Sequence, residues 1–197
     1  MYHMLFFAEA SPVWVSAMLE WIKAAGTVFA AISLYLAYRQ LRANVRWNRI
    51  NATFTYLPEA LFIERERAAA AALETIEKDL YQQTTSLEPK AVDALLNNSN
   101  AFRDVKDFLN LLENYAAAHK AGAIDPDHSY ILNASQFIRY YDVFQTLIEK
   151  IRSERNNEMF WVEFEVLANE KWRPRQKDEI ERGRAKRLKD RHGPSYP

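Results

Sequence analysis

The feature that most constrains this chain is an apolar stretch near its start, residues 13–38, that ends abruptly at a row of arginines. Its uncharged part, residues 24–38, makes about 22 Å of helix at 1.5 Å per residue, short of a hydrocarbon core about 30 Å thick. Counting back to Val13 gives 26 residues with two charges, Glu20 and Lys23. These stand three apart on one helical face, where they can pair, and near the end of the segment, where a long side chain reaches toward water. The longer segment is able to span. Trp14, Trp21, Tyr35 and Tyr38 flank the run as interfacial aromatics do, and Arg39, Arg42, Arg46 and Arg49 form a positive edge after it. This pattern predicts one transmembrane helix with the carboxyl side in the cytoplasm. A buried core helix and a helix lying in the interface are the alternatives. A cleaved signal peptide fits poorly, because MYHMLFFAEASP carries no Lys or Arg before the apolar run.

Nothing stops the helix at the membrane surface, since residues 39–57 hold no Pro or Gly. On a 100° wheel the four arginines gather on one side and Asn44, Asn48 and Asn51 on the other. Followed back into the apolar run, the asparagine side holds Gly26, Ala30, Ser33 and Ala37. Small residues at that spacing let helices approach closely in lipid, so the stripe predicts self-association; a chance run of common small residues is the plainer reading. The arginine face would point to anionic lipid or to the domain after it.

The rest reads as helices. Pro58 ends the first one, and residues 59–83 come next with Leu61, Ile63, Ala68, Ala72, Ile76 and Leu80 as a loose apolar side. A turn near 84–88 leads to Pro89 at the start of a short helix, and the asparagines at 97–100 supply caps. Phe102, Val105, Phe108 or Leu109, Leu112 and Tyr115 mark a helix closed by Ala121 and Gly122. Tyr130, Ala134, Phe137, Tyr141, Phe144, Ile148 and Ile151 recur by threes and fours as the central helix. Residues 159–172 read as a further helix, and Pro174 marks its end. No strand-like alternation occurs. The fold class is therefore all-α, an N-terminal transmembrane helix continuing into an antiparallel helical bundle. The expected divisions are a short segment 1–12, the transmembrane helix 13–38, a cytoplasmic domain 39–172 and a basic polar tail 173–197.

Composition narrows the function. With no cysteine among 197 residues, thiol chemistry, disulfides and thiolate metal sites are excluded. The 26 basic and 26 acidic residues cancel overall, yet residues 39–170 carry net −5 and residues 171–197 net +6. The tail could touch RNA or anionic lipid, although KDEIER and RLKDR mix the signs, which weakens nucleic-acid binding. No phosphate loop, nucleophile elbow or metalloprotease motif occurs, and no cofactor or metal is expected. Glu163 and Glu165 face different sides of a helix; Asp104 and Asp107 share a face but have no nearby histidine. His119 and His128 read as solvent-facing cap or loop residues. Asn110 with Glu113, and Arg139 with Asp142, read as polar links between helices, and Trp161 and Phe164 as core.

The blocks YRQLRANVRWN (38–48), LNLLE (109–113), RYYDVF (139–144) and FWVEFEVL (160–167) resemble a family of small bacterial proteins classed only as a domain of unknown function. The resemblance covers about residues 17–172 and implies one N-terminal span in the bacterial inner membrane with a cytoplasmic helical domain. More distantly, that family is similar to the membrane accessory proteins of type VI CRISPR systems, which implies an oligomeric membrane effector in phage defence with an unidentified protein partner. Those relatives are linked to HEPN-like helical domains, whose ribonucleases use an Arg and a His several residues later; Arg187 and His192 match that spacing. With 16 Arg and 4 His, about one such match arises by chance. The expectation is a noncatalytic membrane effector or partner-binding module, with a membrane-tethered HEPN-like ribonuclease as the alternative.

Overall fold

The computed structural model describes residues 13–77 and 86–191. The segment 1–12, the start of the 84–88 turn, Leu80 and His192 lie outside the described residues. Every regular element described is helical: α1 (Val13–Tyr56), α2 (Glu59–Glu74), α3 (Pro89–Asn97), α4 (Ser99–Lys120), α5 (Pro126–Arg155), α6 (Val162–Glu165) running into a π-helical stretch (Val166–Trp172), and α7 (Arg173–Arg191). The chain divides into two units inside α1, the first ending at Trp47 and the second beginning at Asn48.

The first unit is an unbroken helix of alternating bulky and small apolar residues. Among its large apolar side chains from Met18 to Tyr38, exposure runs between 50% and 78% on every side of the helix.

The second unit is a bundle around an aromatic core. Its helix ends obey local chemistry. Asn98 caps α4 by accepting from the Ala101 N–H at 3.2 Å, and Asp125 caps α5 by accepting from the His128 N–H at 2.9 Å, with Pro126 in the first turn. Gly122, at φ 71°, closes α4 as its N–H and that of Ala123 return to the carbonyls of His119 and Ala118. The regular face of α5 is buried as the spacing predicts, from Tyr130 through Ile151. Phe108 of α4 meets Tyr140 of α5 edge-on at 5.0 Å, while Tyr115, two turns later, meets the earlier Phe137 at 5.2 Å, so the two helices run antiparallel. The pairs Phe62–Phe108 and Arg65–Asp107 place α2 antiparallel to α4 in the same way.

Three expectations need correction. The buried side of α2 is Phe62, Ala69, Ala72 and Leu73, whereas Leu61 is exposed and Ile63 and Ala68 are only half-buried. Phe62 packs on Phe108 and Tyr140, and this aromatic contact rotates the helix away from the side the aliphatic residues suggested. The helix expected from Met159 begins only at Val162, because Trp161 adopts a left-handed conformation (φ 53°) and residues 158–161 form a turn. Pro174 does not end the last helix: the π-helical stretch Val166–Trp172 passes without a break into α7, with Pro174 in the first turn of α7. Residues 173–191 are therefore helical, with Ile180 half exposed.

Candidate functional site

On α1, Gly26, Ala30, Ser33 and Ala37 share one side of a continuous helix and all are exposed. A Cβ built on Gly26 meets nothing within 4 Å, so this face is open to an incoming surface. Asn44, Asn48 and Asn51 continue it, also exposed. Arg39, Arg42, Arg46 and Arg49 are exposed as well, and the Arg49 carbonyl accepts the Asp125 N–H at 3.2 Å. Glu20 and Lys23 pair at 3.6 Å as the spacing requires. Among the described residues one helix, near the N-terminus, is thus long and apolar enough to cross a membrane, and its apolar stretch is wholly unburied.

In the second unit the polar groups that stood out in the sequence fasten helices together. Asn110 of α4 accepts the Trp161 indole N–H at 3.0 Å. Glu113, one turn on, accepts the N–H groups of Glu163 and Phe164 at 3.2 and 2.8 Å, so a carboxylate from α4 caps the first turn of α6. These bonds hold Trp161 in a backbone conformation that costs a bulky residue about 1–3 kcal/mol. Burial pushes the Glu113 carboxyl above its ordinary range, against the two backbone donors. Asp142 of α5 holds Arg173 of α7 through both of its oxygens.

Other fasteners were not evident in the sequence. Tyr115 donates to Ser129 Oγ at 2.8 Å and accepts from Asn133 at 2.9 Å, and Tyr140 donates to Glu66 at 2.5 Å. Tyr141 donates to Glu165 at 2.6 Å, and Arg152 holds the other Glu165 oxygen at 2.5 Å and the Phe160 carbonyl at 2.9 and 2.8 Å. Burial alone would raise the Glu165 carboxyl, but the Tyr141 hydroxyl and the Arg152 guanidinium hold it low. Burial and the hydrogen bond to Glu165 in turn push the Tyr141 phenol up. The available signal was tyrosine, not phenylalanine, at inward positions: a buried hydroxyl needs a partner.

His119 is a correction. Expected to face solvent, it is tucked edge-on against Trp172 at 5.7 Å with both ring nitrogens buried and unbonded. Burial, reinforced by nearby Lys171, lowers its pKa. His128 is half-buried, edge-on to Phe54 at 5.9 Å. Asp107 pairs with Arg65 at 3.1 Å, Asp104 lies 3.8 Å from its neighbour Arg103, and Glu163 pairs with Lys120. Arg187 is exposed on α7. No cluster of three or more His, Asp or Glu able to hold a metal occurs among the described residues.

Against known families, residues 24–172 match DUF4760, a domain of unknown function. The chain belongs to this family. No curated protein and no solved structure matches it.

Proposed function

We propose that this member of the family is a single-pass protein of the bacterial inner membrane, its bundle cytoplasmic, that self-associates and acts as a noncatalytic effector or partner-binding module. The observation that carries the reading is the uncovered apolar helix: from Met18 to Tyr38 no large apolar side chain is less than half exposed. Removing each such side chain from water is worth about 1.5–3 kcal/mol, a driving force that lipid satisfies around the whole helix. The arginine edge after the span supports the cytoplasmic orientation. The open face at Gly26, Ala30, Ser33 and Ala37 supports assembly through the same helix. Within the bundle, the carboxylates and cations with the look of chemistry are engaged in joining helices, which favours a scaffold that presents surfaces. A role in phage defence belongs to the proposal solely through the distant sequence resemblance noted above.

Fractionation and crosslinking test this. The protein should stay with membranes after carbonate extraction, and a C-terminal reporter that works only outside the cytoplasm should be inactive. Replacing Gly26 and Ala30 together with Leu should reduce crosslinked oligomer, and replacing Val28 and Ile32 with Leu should not. A carbonate-soluble protein overturns the span; equal behaviour of the two double variants overturns assembly through this face.

A further inference from the structure

Between α3, α4, the end of α5 and the 158–161 turn lies a hollow of about 260 Å³ that neither membrane insertion nor self-association uses. Phe102, Phe160 and Trp161 supply aromatic walls and Ile151 an aliphatic one. Lys106 and Arg155 stand at its rim, both exposed and in no ion pair among the described residues. The third charged residue on the rim is Glu154, 3.8 Å from Lys150, whose closer partner is Asp93, so a carboxylate stands beside the two cations.

The walls are held in place. The Trp161 indole is tied to Asn110, the Phe160 carbonyl is clamped by Arg152, and the two rings sit 5.7 Å apart, tilted by 45°. The carbonyls of Arg152 and Ser153 at the end of α5 are already satisfied by the N–H groups of Asn157 and Asn156, which lessens their repulsion of a negative group. The hollow therefore offers aromatic surface for a flat ring beside two cations for an anionic group, with Glu154 as the one opposing charge on its rim.

We propose that this hollow binds a small aromatic anion of the nucleotide class, its base against the half-exposed rings of Phe102 and Phe160, which the buried Trp161 backs, and its phosphate between Lys106 and Arg155. The volume lies just below the usual lower bound of about 300 Å³ for small-molecule sites, which favours a mononucleotide with its sugar outside over anything larger.

The test uses the full chain in detergent micelles and calorimetric titration with AMP, GMP, CMP and UMP. At least one should bind, about tenfold more tightly than its own nucleoside and than ribose 5-phosphate, because base and phosphate both contribute. Lys106→Ala and Arg155→Ala should each weaken that binding about fivefold or more with the circular dichroism unchanged. Glu154→Gln should strengthen it, and Arg103→Ala, on the same helix as Lys106 but outside the hollow, should leave it alone. Absence of binding by all four mononucleotides, equal binding of nucleoside and nucleotide, or indifference to both rim substitutions overturns the proposal. A hexanucleotide binding more than about tenfold tighter than the best mononucleotide also overturns it, in favour of a single-stranded nucleic acid.

Discussion

Phe29 and Phe144 are the same side chain in two different settings: the first is 73% exposed on α1, the second fully buried where α5 packs on α4. The same contrast runs through the molecule. Up to Trp47, apolar side chains face outward and the helix is held by its own backbone; from Asn48 onward most of them face one another, Ile131 and Met159 being exceptions, and the helices are tied by hydroxyls, carboxylates and guanidinium groups. Charge separates the two regions: residues 24–38 carry none, whereas α5 interleaves its buried row from Tyr130 to Ile151 with Arg139, Asp142, Glu149, Lys150 and Arg152.

The largest effect that can break this contrast comes from the two phenylalanines. Phe144→Ala should lower the stability of the bundle by about 3–5 kcal/mol, and Phe29→Ala should change it by less than about 0.5 kcal/mol, measured by urea unfolding in detergent with tryptophan fluorescence. Similar losses for both would mean that α1 is part of the bundle core.

A smaller effect tests the polar fastening. Glu113→Gln leaves one of two backbone donors facing an amide N–H₂, and should cost about 1–3 kcal/mol in the same experiment. Ser33→Ala on the open face of α1 should cost the bundle nothing. If Glu113→Gln is silent, the turn before α6 is held by packing alone.

The smallest effect depends on pH. The folded-state pKa of His119 lies below its ordinary value near 6.5, so the unfolded chain binds the proton more readily than the native one. Its contribution to stability is complete above about pH 6.5 and declines as the pH falls below it. His119→Phe, which keeps an aromatic edge for Trp172, should remove this part of the pH dependence, seen as a smaller drop in Tm between about pH 7 and 5 than the parent shows. An identical drop would place the ring in water.

Much of this was legible in the sequence because helices announce themselves locally. The caps Asn98 and Asp125, the helix-closing Gly122 and the repeat along α5 all act within a few residues of where they are read. The failures involve distant partners. The five alanines at 68–72 carry no periodicity, so the orientation of α2 was decided by Phe62 meeting rings 46 and 78 positions away. His119 is buried by Trp172, a residue 53 positions later. Trp161 takes a left-handed backbone only because Asn110 holds its indole and Glu113 holds the start of α6. On α1 the spacing of Gly26, Ala30, Ser33 and Ala37 was plain, but its exposure required the structure. The hollow at Lys106 and Arg155 was illegible, since its lining comes from α3, α4, the end of α5 and the 158–161 turn.

α6 opens a helical run that continues through the π-helical stretch into α7, and its first turn is the costly one, because it fixes several dihedral angles for a single hydrogen bond. The N–H groups of Glu163 and Phe164 find their acceptors on Glu113, 50 and 51 positions earlier. Order in the stretch leading to Trp172 is therefore conditional on α4 being in place. During synthesis the last third of the bundle has its template waiting, completed well before the ribosome delivers the residues that need it.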